Sequence, residues 1–390
     1  MKPDLVRLVA AQAILGSAMT LLVSITALAS KPIAPGVAWV TLPVSLQFLG
    51  LLIATAPASF LMASVGRRNG FLVGCLLGVI AGVLGAAALW TSSFVMLCVA
   101  STLAGASNAF GQYYRFAAQE VVDEPQRGRA LGWVMFGGVL AAFVGPQLSI
   151  YGRDALLVPF AGAYLAMAVL FVLSFIGLWH LNLGKSERPP SGGRNLSQLI
   201  RDPDLIVAVI AGVTSYSVMA LLMNVTTLAM DRYGFAFSQV GLVIQWHVVA
   251  MFGPSFFTGY LLTRFGTRAV MLAGACLYFV CSVLTQVGLE YGHFVAALVL
   301  LGLGWNFLFL GATRAVGECL KPAERARGQA LNETLVFGLT GVAVFFASPL
   351  ESALGWQPLN LVMLVPVGVV VLLLIFIKRT TPSGTPTVAK

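Results

Sequence analysis

The sequence predicts an all-α polytopic membrane protein in which twelve transmembrane helices form two pseudo-symmetric six-helix bundles. Three observations support this prediction: the scarcity of charge, the number of apolar segments and an internal duplication. Of the 390 residues, 58% are hydrophobic and 9% are charged, whereas soluble domains average about 25% charged residues. The composition therefore excludes a water-soluble globule, and its hydrophobicity excludes an intrinsically disordered chain.

Twelve apolar segments are long enough to cross a bilayer. A hydrocarbon core about 30 Å thick requires roughly 20 predominantly apolar residues per helix, and charged, Gly and Pro residues mark the ends of such stretches. The predicted spans cover residues 5–30, 38–64, 71–90, 94–118, 130–151, 155–180, 204–230, 237–262, 269–289, 294–317, 328–349 and 355–377.

The first span also has features of a signal peptide. Lys2 and Arg7 precede an apolar stretch that ends at Ala27-Leu28-Ala29, a small-x-small pattern typical of cleavage sites. The stretch is longer than the apolar region of a signal peptide, and its removal would leave an odd number of spans. We therefore predict that it is retained as the first transmembrane helix.

The distribution of Lys and Arg predicts the orientation. All but three of the 23 basic residues fall at the termini or in loops on the same side as the termini, the exceptions being Lys31, Arg153 and Arg232. Cytoplasmic loops carry such an excess, so both termini are predicted to lie in the cytoplasm. The lipid bilayer then accounts for the net charge of +9 without a nucleic-acid partner.

The second half of the chain repeats motifs of the first at an offset of about 200 residues. The repetition predicts a first bundle over residues 1–180, a cytoplasmic linker over 181–203, a second bundle over 204–379 and a disordered tail over 380–390. The matching motifs are Gly66-Arg67-Arg68 with Gly266-Thr267-Arg268, Arg115 with Arg314, and Arg127-Gly128-Arg129-Ala130-Leu131 with Arg327-Gly328-Gln329-Ala330-Leu331.

This organisation resembles the major facilitator superfamily, whose members are transporters with two six-helix halves. The family motif after the second and eighth spans is usually G-x-x-x-D-R-x-G-R-[RK]. This sequence has Gly259-x-x-x-Thr263-Arg264-x-Gly266-x-Arg268 in the second half and Ser59-x-x-x-Ala63-x-x-Gly66-Arg67-Arg68 in the first. The resemblance implies alternating access around a site between the halves, near mid-membrane. Both copies lack the motif's Asp, so the gating attributed to that residue is not expected here.

Ionisable residues are scarce within the predicted spans. None of the 14 acidic residues falls in the middle of a span, and Glu333 comes closest. Two roles fit Glu333: a partner for nearby Arg325 or Arg327, which we expect, or a part in transport. Arg115 either anchors its helix end on the basic side or pairs with Glu120.

One histidine lies in the interior of a span, in the same run as a methionine one turn away. His247 and Met251 share a face of the eighth span, and Met219 and Met223 share a face of the seventh. At 1.5 Å per residue, the methionines of the seventh span lie roughly 22–28 Å from its cytoplasmic end, and the pair of the eighth roughly 18–24 Å. The four side chains are thus predicted at similar depth on consecutive helices.

Thioether and imidazole ligands suit Cu(I), whereas Mg²⁺ and Ca²⁺ require oxygen ligands. Met219, Met223, His247 and Met251 therefore form a candidate soft-metal site. The alternative is that the methionines fill gaps in the core and that His247 makes a hydrogen bond between helices, for instance to Asn224 or Gln245.

The motifs M-x-x-x-M and H-x-x-x-M, followed by Phe252-Gly253-Pro254-Ser255-Phe256-Phe257-Thr258-Gly259, resemble the CcoA-type copper importers within this superfamily. The resemblance implies that Met219, Met223, His247 and Met251 bind copper. It also implies that copper is imported, as Cu(I), across a bacterial cytoplasmic (inner) membrane for cytochrome oxidase assembly. It implies copper as substrate, no resident cofactor, and cytoplasmic or membrane copper chaperones as partners. The wider group includes riboflavin transporters with a similar segment in the eighth span.

The alternative function is transport of riboflavin or another flat organic solute. Aromatic and amide side chains in the spans suit a ring with a polar edge, although they also serve as packing residues. An enzyme is not expected, since no catalytic triad, phosphate loop or carboxylate pair is recognisable. The candidate side chains for a flat solute are Asn108, Gln112, Tyr113, Tyr216, Gln245, Trp246, Trp305, Asn306 and Phe307.

Overall fold

The computed structural model describes residues 2–123, 126–183 and 193–377. Within these ranges the regular structure is helical, and the helices supply twelve candidate membrane spans when one bent pair is counted as a single span. The first half consists of α1 (Pro3–Ser30), α2 (Leu42–Val65), α3 (Arg67–Trp90), α4 (Phe94–Gly111), α5 (Tyr114–Glu120), α6 (Arg127–Arg153) and α7 (Ala161–Trp179). The prediction of an all-α polytopic membrane protein is confirmed.

The second half repeats this pattern with more interruptions. Its helices are α8 (Leu196–Leu199), α9 (Pro203–Arg232), α10 (Phe237–Phe252), α11 (Ser255–Arg264), α12 (Thr267–Leu284), α13 (Tyr291–Cys319), α14 (Arg325–Phe345), α15 (Ala347–Leu354), α16 (Trp356–Val362) and α17 (Leu364–Phe376). Helices α10 and α11 form one span, as do α16 and α17, and α14 and α15 are bent by 43°.

The loops between spans are short because glycines and caps end the helices abruptly. Gly66 and Gly266 have φ values of +88° and +83°, a region that favours glycine, and each joins two consecutive spans. This explains why both copies of the repeated motif keep their glycine. At the start of α9, the Asp202 carboxylate accepts hydrogen bonds from the backbone N–H groups of Asp204 and Leu205.

The two halves meet along two pairs of helices. Within the first half, α1 packs on α6 and α2 on α4, while in the second half α13 packs on α9, α10 and α12. Between the halves, α2 packs on α14 and α6 on α10. The contact between halves is therefore built by the spans that flank the central space.

One end of the bundle carries the start of α1 and the end of α17, and we call it the basic end. At the opposite end the halves are joined by hydrogen bonds. The hydroxyl of Thr41 donates to the carbonyl of Phe345 at 3.0 Å, the hydroxyl of Ser45 donates to Gly341 at 2.6 Å, and Lys31 forms an ion pair with Asp231. The structure is thus closed at the opposite end.

The end of the predicted linker is docked on the second half. Arg194 donates hydrogen bonds to the fully buried carboxylate of Glu324 and pairs with Asp202 at 2.7 Å. The hydrogen bonds from Arg194 hold the pKa of Glu324 at about 2, well below its usual value. Residues 184–192 lie outside the described part, so the linker is seen only after residue 193.

Span boundaries shift by a few residues from the predicted ones. The largest shift is at the sixth span, which begins at Ala161 rather than at residue 155 because residues 154–160 form the preceding turn. The predicted disordered tail, 380–390, falls outside the described residues. The domain limits 1–180, 181–203 and 204–379 and the cytoplasmic position of the termini stay predictions.

Candidate functional site

Five aromatic rings gather at the middle of the spans, where the two halves meet. Tyr216 lies at the centre of this group, with ring centroids 5.7, 5.3 and 5.5 Å from Trp305, Phe309 and Phe337 of the second half. Its fourth neighbour, Phe48 of α2, lies 6.3 Å away. We call these five residues the ring cluster; it joins both halves.

The rings of the cluster leave surface free for a further ring. Phe48, Tyr216, Phe309 and Phe337 are only half-buried although they lie near mid-span, whereas Trp305 is 5% exposed and stacks on Phe309 at 5.0 Å. Half-buried rings at this depth indicate a space between the halves rather than a closed core. Flat solutes bind such surfaces by offset stacking or edge-to-face contact.

Two unpartnered polar atoms lie in the helices that carry the ring cluster. The indole Nε1 of Trp305 and the amide Oδ1 of Asn332 are buried, and among the described residues neither has a hydrogen-bond partner. The position of a Cβ on Gly212 would be 3.7 Å from Asn332 Oδ1, and Gly212 is one helical turn from Tyr216. A donor and an acceptor therefore accompany the rings and suit a heterocycle with a polar edge.

An ion pair joins the halves one turn from the ring cluster. Arg115 Nη2 of α5 lies 3.3 Å from Glu333 Oε1 of α14, and Glu333 shares a face of α14 with Phe337, four residues later. The prediction that Glu333 pairs with Arg325 or Arg327 is wrong. Both arginines lie in the first turn of α14, about two turns from Glu333 toward the basic end.

Of the two roles expected for Arg115, the pairing with Glu120 is wrong for a related reason. Glu120 lies at the end of α5 and pairs with Arg67 at 2.8 Å, at the start of α3. Arg115 instead points toward the second half, where Glu333 faces it. The spacing of Arg115 and Glu333 along the chain does not indicate that they pair, because they come from different halves.

The predicted copper ligands Met219, Met223, His247 and Met251 are all buried. Met219 and Met223 follow Tyr216 by three and seven residues, which places them on its face of α9. His247 is fully buried, and its Nδ1 lies 2.7 Å from the carbonyl oxygen of Leu298 in α13. This hydrogen bond replaces the expected ones, because Asn224 donates to Ala220 and Gln245 pairs with Gln147.

The hydrogen bond to Leu298 fixes the tautomer of a neutral His247. A carbonyl oxygen only accepts, so Nδ1 carries the proton and Nε2 keeps a free lone pair. Nε2 is buried and has no partner in the described part of the chain. Metal-binding histidines are commonly oriented in this way by a backbone carbonyl.

Helix α10 contacts α9 only slightly and packs mainly on α13 and α6. The described residues contain no group of three or more His, Cys, Asp or Glu side chains that could hold a metal ion. A copper site would therefore depend on thioethers, and the set Met219, Met223, His247 and Met251 stays a prediction.

The other side chains predicted to bind a flat solute fall into distinct places. Tyr216 and Trp305 are in the ring cluster. The amide of Asn306 stabilises the break between α10 and α11: it donates to the Met251 carbonyl and the Ser255 hydroxyl, and it accepts from the Thr258 hydroxyl. Trp246 is 47% exposed. Gln245 pairs with Gln147 across the halves, Gln112 donates to Asn108, the Tyr113 hydroxyl donates to the Thr55 carbonyl, and Phe307 is half-buried.

The residues predicted from the sequence did not include Phe48, Phe309, Phe337 or Asn332. Phe309 follows Trp305 by four residues and Phe337 follows Glu333 by four, so each lies on the same helical face as a residue that had been noted. That spacing was the available signal. Phe48, from the other half, had none.

Comparisons with known proteins agree with the helical architecture. The family model described as Major Facilitator Superfamily matches residues 8–254 and 207–390. The riboflavin transporter RfnT of Brucella anthropi is 40% identical over 388 residues, which cover 98% of this chain and 96% of that protein. Two MFS-type transporters of Bacillus subtilis, YddS and YdeG, are 27% and 26% identical over 77% and 84% of this chain, and 74% and 80% of their own lengths.

These matches and the spans indicate a transporter rather than an enzyme, located as a multi-pass protein in a bacterial inner membrane. The resemblance to riboflavin transporters of the wider group is confirmed, whereas the narrower likeness to CcoA-type copper importers is not. The chain belongs to the major facilitator superfamily.

Proposed function

We propose that the protein carries riboflavin, or an uncharged flat heteroaromatic solute of that class, across the bacterial inner membrane. The observation that carries the proposal is the ring cluster around Tyr216, which joins both halves near mid-span. A relative named as a riboflavin transporter, 40% identical over 98% of this chain, supports the same class of solute. This was the alternative function in the sequence interpretation, and it now takes precedence over copper.

The ring cluster suits a solute that must bind and then leave. Half-buried rings provide apolar area on more than one side of a flat molecule, and Trp305 Nε1 and Asn332 Oδ1 provide one donor and one acceptor. Because the cluster takes residues from both halves, a relative movement of the halves separates Phe48 from the other rings. Such a separation weakens the site as the transporter changes the side to which it is open.

The direct test is uptake of radiolabelled riboflavin by cells that lack other riboflavin transporters, with and without this protein. We expect uptake that depends on the protein and falls to background in Tyr216→Ala. Trp246→Ala is the matched control, since it also removes a large ring from a span but at a side chain 47% exposed. The proposal would be contradicted if cells that carry the wild-type protein accumulated no more riboflavin than cells with the empty vector.

Copper import remains a second candidate because one observation favours it. The buried lone pair of His247 Nε2 is unpartnered among the described residues, and Leu298 orients the ring in the manner of a metal ligand. Met251 lies one turn from His247, and thioethers together with imidazole suit Cu(I). In this candidate the ion is the substrate, bound by Met219, Met223, His247 and Met251.

A pair of variants separates the two candidates. His247→Ala and Met219→Leu should leave riboflavin uptake within about threefold of wild type, because neither residue belongs to the ring cluster. Copper accumulation, measured with radioactive copper in the same cells, should fall to background in both variants if copper is the substrate. Copper accumulation that survives both substitutions excludes the four-residue site.

A further inference from the structure

The ion pair between Arg115 and Glu333 is accessible from the space between the halves. The two side chains are 38% and 35% exposed, although both belong to helices within the spans. Arg115 Nε is buried and has no hydrogen-bond partner in the ranges the structure describes. The guanidinium group thus donates to Glu333 through Nη2 and leaves its Nε–H unused.

The pair lies beside the ring cluster rather than at a remote helix end. Glu333 and Phe337 are four residues apart on α14, and Phe337 contacts Tyr216 at 5.5 Å. Asn332, the neighbour of Glu333, carries the unpartnered Oδ1 near Gly212. A solute stacked on the cluster would therefore place one edge near Arg115 and Glu333.

The ion pair of Arg115 and Glu333 carries no net charge. An arginine fork is the group that proteins use to hold phosphate, by two parallel N–H···O bonds. Glu333 contacts one nitrogen of that fork, Nη2, at 3.3 Å and adds a negative charge that repels an anion at the same place. An uncharged ring can still accept a hydrogen bond from Arg115 Nε or donate one to Asn332 Oδ1.

We propose that Glu333 determines the charge selectivity of the transport site, so that it admits uncharged flat heteroaromatic solutes and rejects their phosphorylated forms. The inference rests on the proposed function and adds the residue responsible for discrimination. Removing the carboxylate leaves Arg115 without its counter-charge at the edge of the ring cluster. Arg115 then becomes a receptor for the phosphate of riboflavin 5′-phosphate.

The test measures binding of riboflavin and of riboflavin 5′-phosphate to the purified full-length protein, by quenching of flavin fluorescence. Wild type should bind riboflavin at least about tenfold more tightly than the phosphate. Glu333→Gln should tighten binding of the phosphate about tenfold and change riboflavin binding by less than about threefold. Arg115→Gln combined with Glu333→Gln should lose that gain.

Glu318→Gln is the matched control. Arg314 and Glu318 form an ion pair at 2.7 Å within α13, so the same charge is removed from another arginine–glutamate pair, outside the ring cluster. This variant should keep the wild-type ratio of the two affinities. A change in the ratio as large as that of Glu333→Gln would show a general charge effect and overturn the inference.

A purely structural role for the ion pair also has a distinct signature. If the ion pair only held the two halves together, Glu333→Gln would change the affinities for riboflavin and its phosphate by the same factor. An unchanged ratio of the two affinities in Glu333→Gln therefore overturns the inference and leaves the proposed function intact. Wild-type protein that binds neither flavin overturns both. If Glu333→Gln cannot be purified in folded form, the exchange of Arg115→Glu with Glu333→Arg decides: a retained preference for riboflavin supports the inference, and its loss overturns it.

Discussion

The second span crosses the fourth in the first half, and the eighth crosses the tenth in the same way in the second half. The two crossings use different residues. In the first half, Gly50 of α2 lies against the backbone of Thr102, and Gly105 of α4 lies against the backbone of Gln47. In the second half, the residues 197 positions later are His247 and Gly302. A glycine remains on α13, where a Cβ would lie 2.5 Å from the His247 carbonyl.

The difference shows that the two halves of a duplicated fold pack equivalent crossings in different ways. Two glycines bring α2 and α4 into direct backbone contact. A single glycine on α13 leaves room for an imidazole on α10, whose buried Nε2 has no hydrogen-bond partner among the described residues. The ring cluster has the same bias, since four of its five rings come from the second half.

A proline pair shows the same asymmetry in the backbone. Pro57 lies inside the unbroken α2, whereas Pro254, again 197 positions later, follows the end of α10. At that break Asn306 donates hydrogen bonds to the Met251 carbonyl and the Ser255 hydroxyl. In an unbroken helix the Met251 carbonyl would instead accept from the backbone N–H of Ser255. The second half thus combines its site residues with an interrupted span.

The largest effect is expected from filling the first crossing. In Gly105→Ala the new methyl group would overlap the Gln47 carbonyl, which is backbone and cannot rotate away. We expect a loss of about 3 kcal/mol or more, since overpacking against side chains alone costs about 1–3 kcal/mol. Gly302→Ala should be somewhat milder because its closest contact is 2.5 Å. The measurement is the melting temperature of the purified protein in detergent.

Gly259→Ala serves as the control for both glycine variants. Gly259 lies within α11, and a Cβ there would meet nothing within 4 Å. Its melting temperature should equal or slightly exceed that of wild type, since alanine favours a helix. A Gly105→Ala protein as stable as Gly259→Ala would show that the backbones of α2 and α4 are not in direct contact at Gly105.

The second effect concerns the unequal contribution of the halves to solute binding. Tyr216 contacts four rings and Phe48 contacts one. Stacking of a flat ring on an aromatic side chain contributes about 1–3 kcal/mol, so Tyr216→Ala should weaken riboflavin binding about 10- to 100-fold, and Phe48→Ala by less than about tenfold. Tyr216→Phe keeps the ring and should bind nearly as wild type. Equal losses in the two alanine variants would refute the unequal division between the halves.

The sequence predicted well those features that depend on local pattern. Apolar runs defined the spans, and the repeated Gly66 and Gly266 reflect a positive φ that each turn requires. Boundaries within spans were harder, because Pro57 and Pro254 occupy equivalent positions and only one of them coincides with a break. Which proline breaks its helix depends on a partner, here Asn306, from another span.

The candidate site was predicted only in part, for a physical reason. Residues four apart on one helix can be recognised from spacing, and this identified Met219 with Met223 and His247 with Met251. Contacts between halves have no such period, so the pairing of Glu333 with Arg115 and the position of Phe48 beside Tyr216 emerged only in three dimensions. Sites between rigid halves are by nature built from such contacts.

A third, smaller effect tests whether the linker belongs to the second half. Arg194→Ala removes the side-chain partner of the fully buried Glu324 carboxylate and should cost about 1–3 kcal/mol of local stability. Residues 193–202 should then exchange their amide hydrogens faster, as measured by mass spectrometry. Arg201→Ala, which removes an exposed arginine of the same segment, is the control and should exchange like wild type.

The same contact has a defined pH dependence. Because the pKa of Glu324 in the docked state is about 2 and an unperturbed glutamate titrates near about 4.3, the carboxylate form favours docking. Its contribution is complete above the unperturbed value and is lost as the pH falls toward 2. Exchange of residues 193–202 should therefore be independent of this group from about pH 5 to 8. A transition within that range would contradict the assignment to Glu324.

The smallest effect is expected at the opposite end, where Lys31 of the first half pairs with Asp231 of the second at 2.6 Å. The two side chains are 53% and 40% exposed, and ion pairs of this kind contribute about 0–1 kcal/mol. Lys31→Ala should therefore shift the balance between closed and open states by at most about fivefold, and salt should reduce the shift.

Spin labels at residues 36 and 290, in a background without the five native cysteines, would report this opening as a distribution of distances. Lys31→Asp combined with Asp231→Lys should restore the wild-type distribution. The hydrogen bonds of Thr41 and Ser45 to α14 remain in the single variant, and the closed state should still predominate. A fully open distribution in Lys31→Ala would mean that this exposed pair, rather than the packing of α2 on α14, holds the halves together.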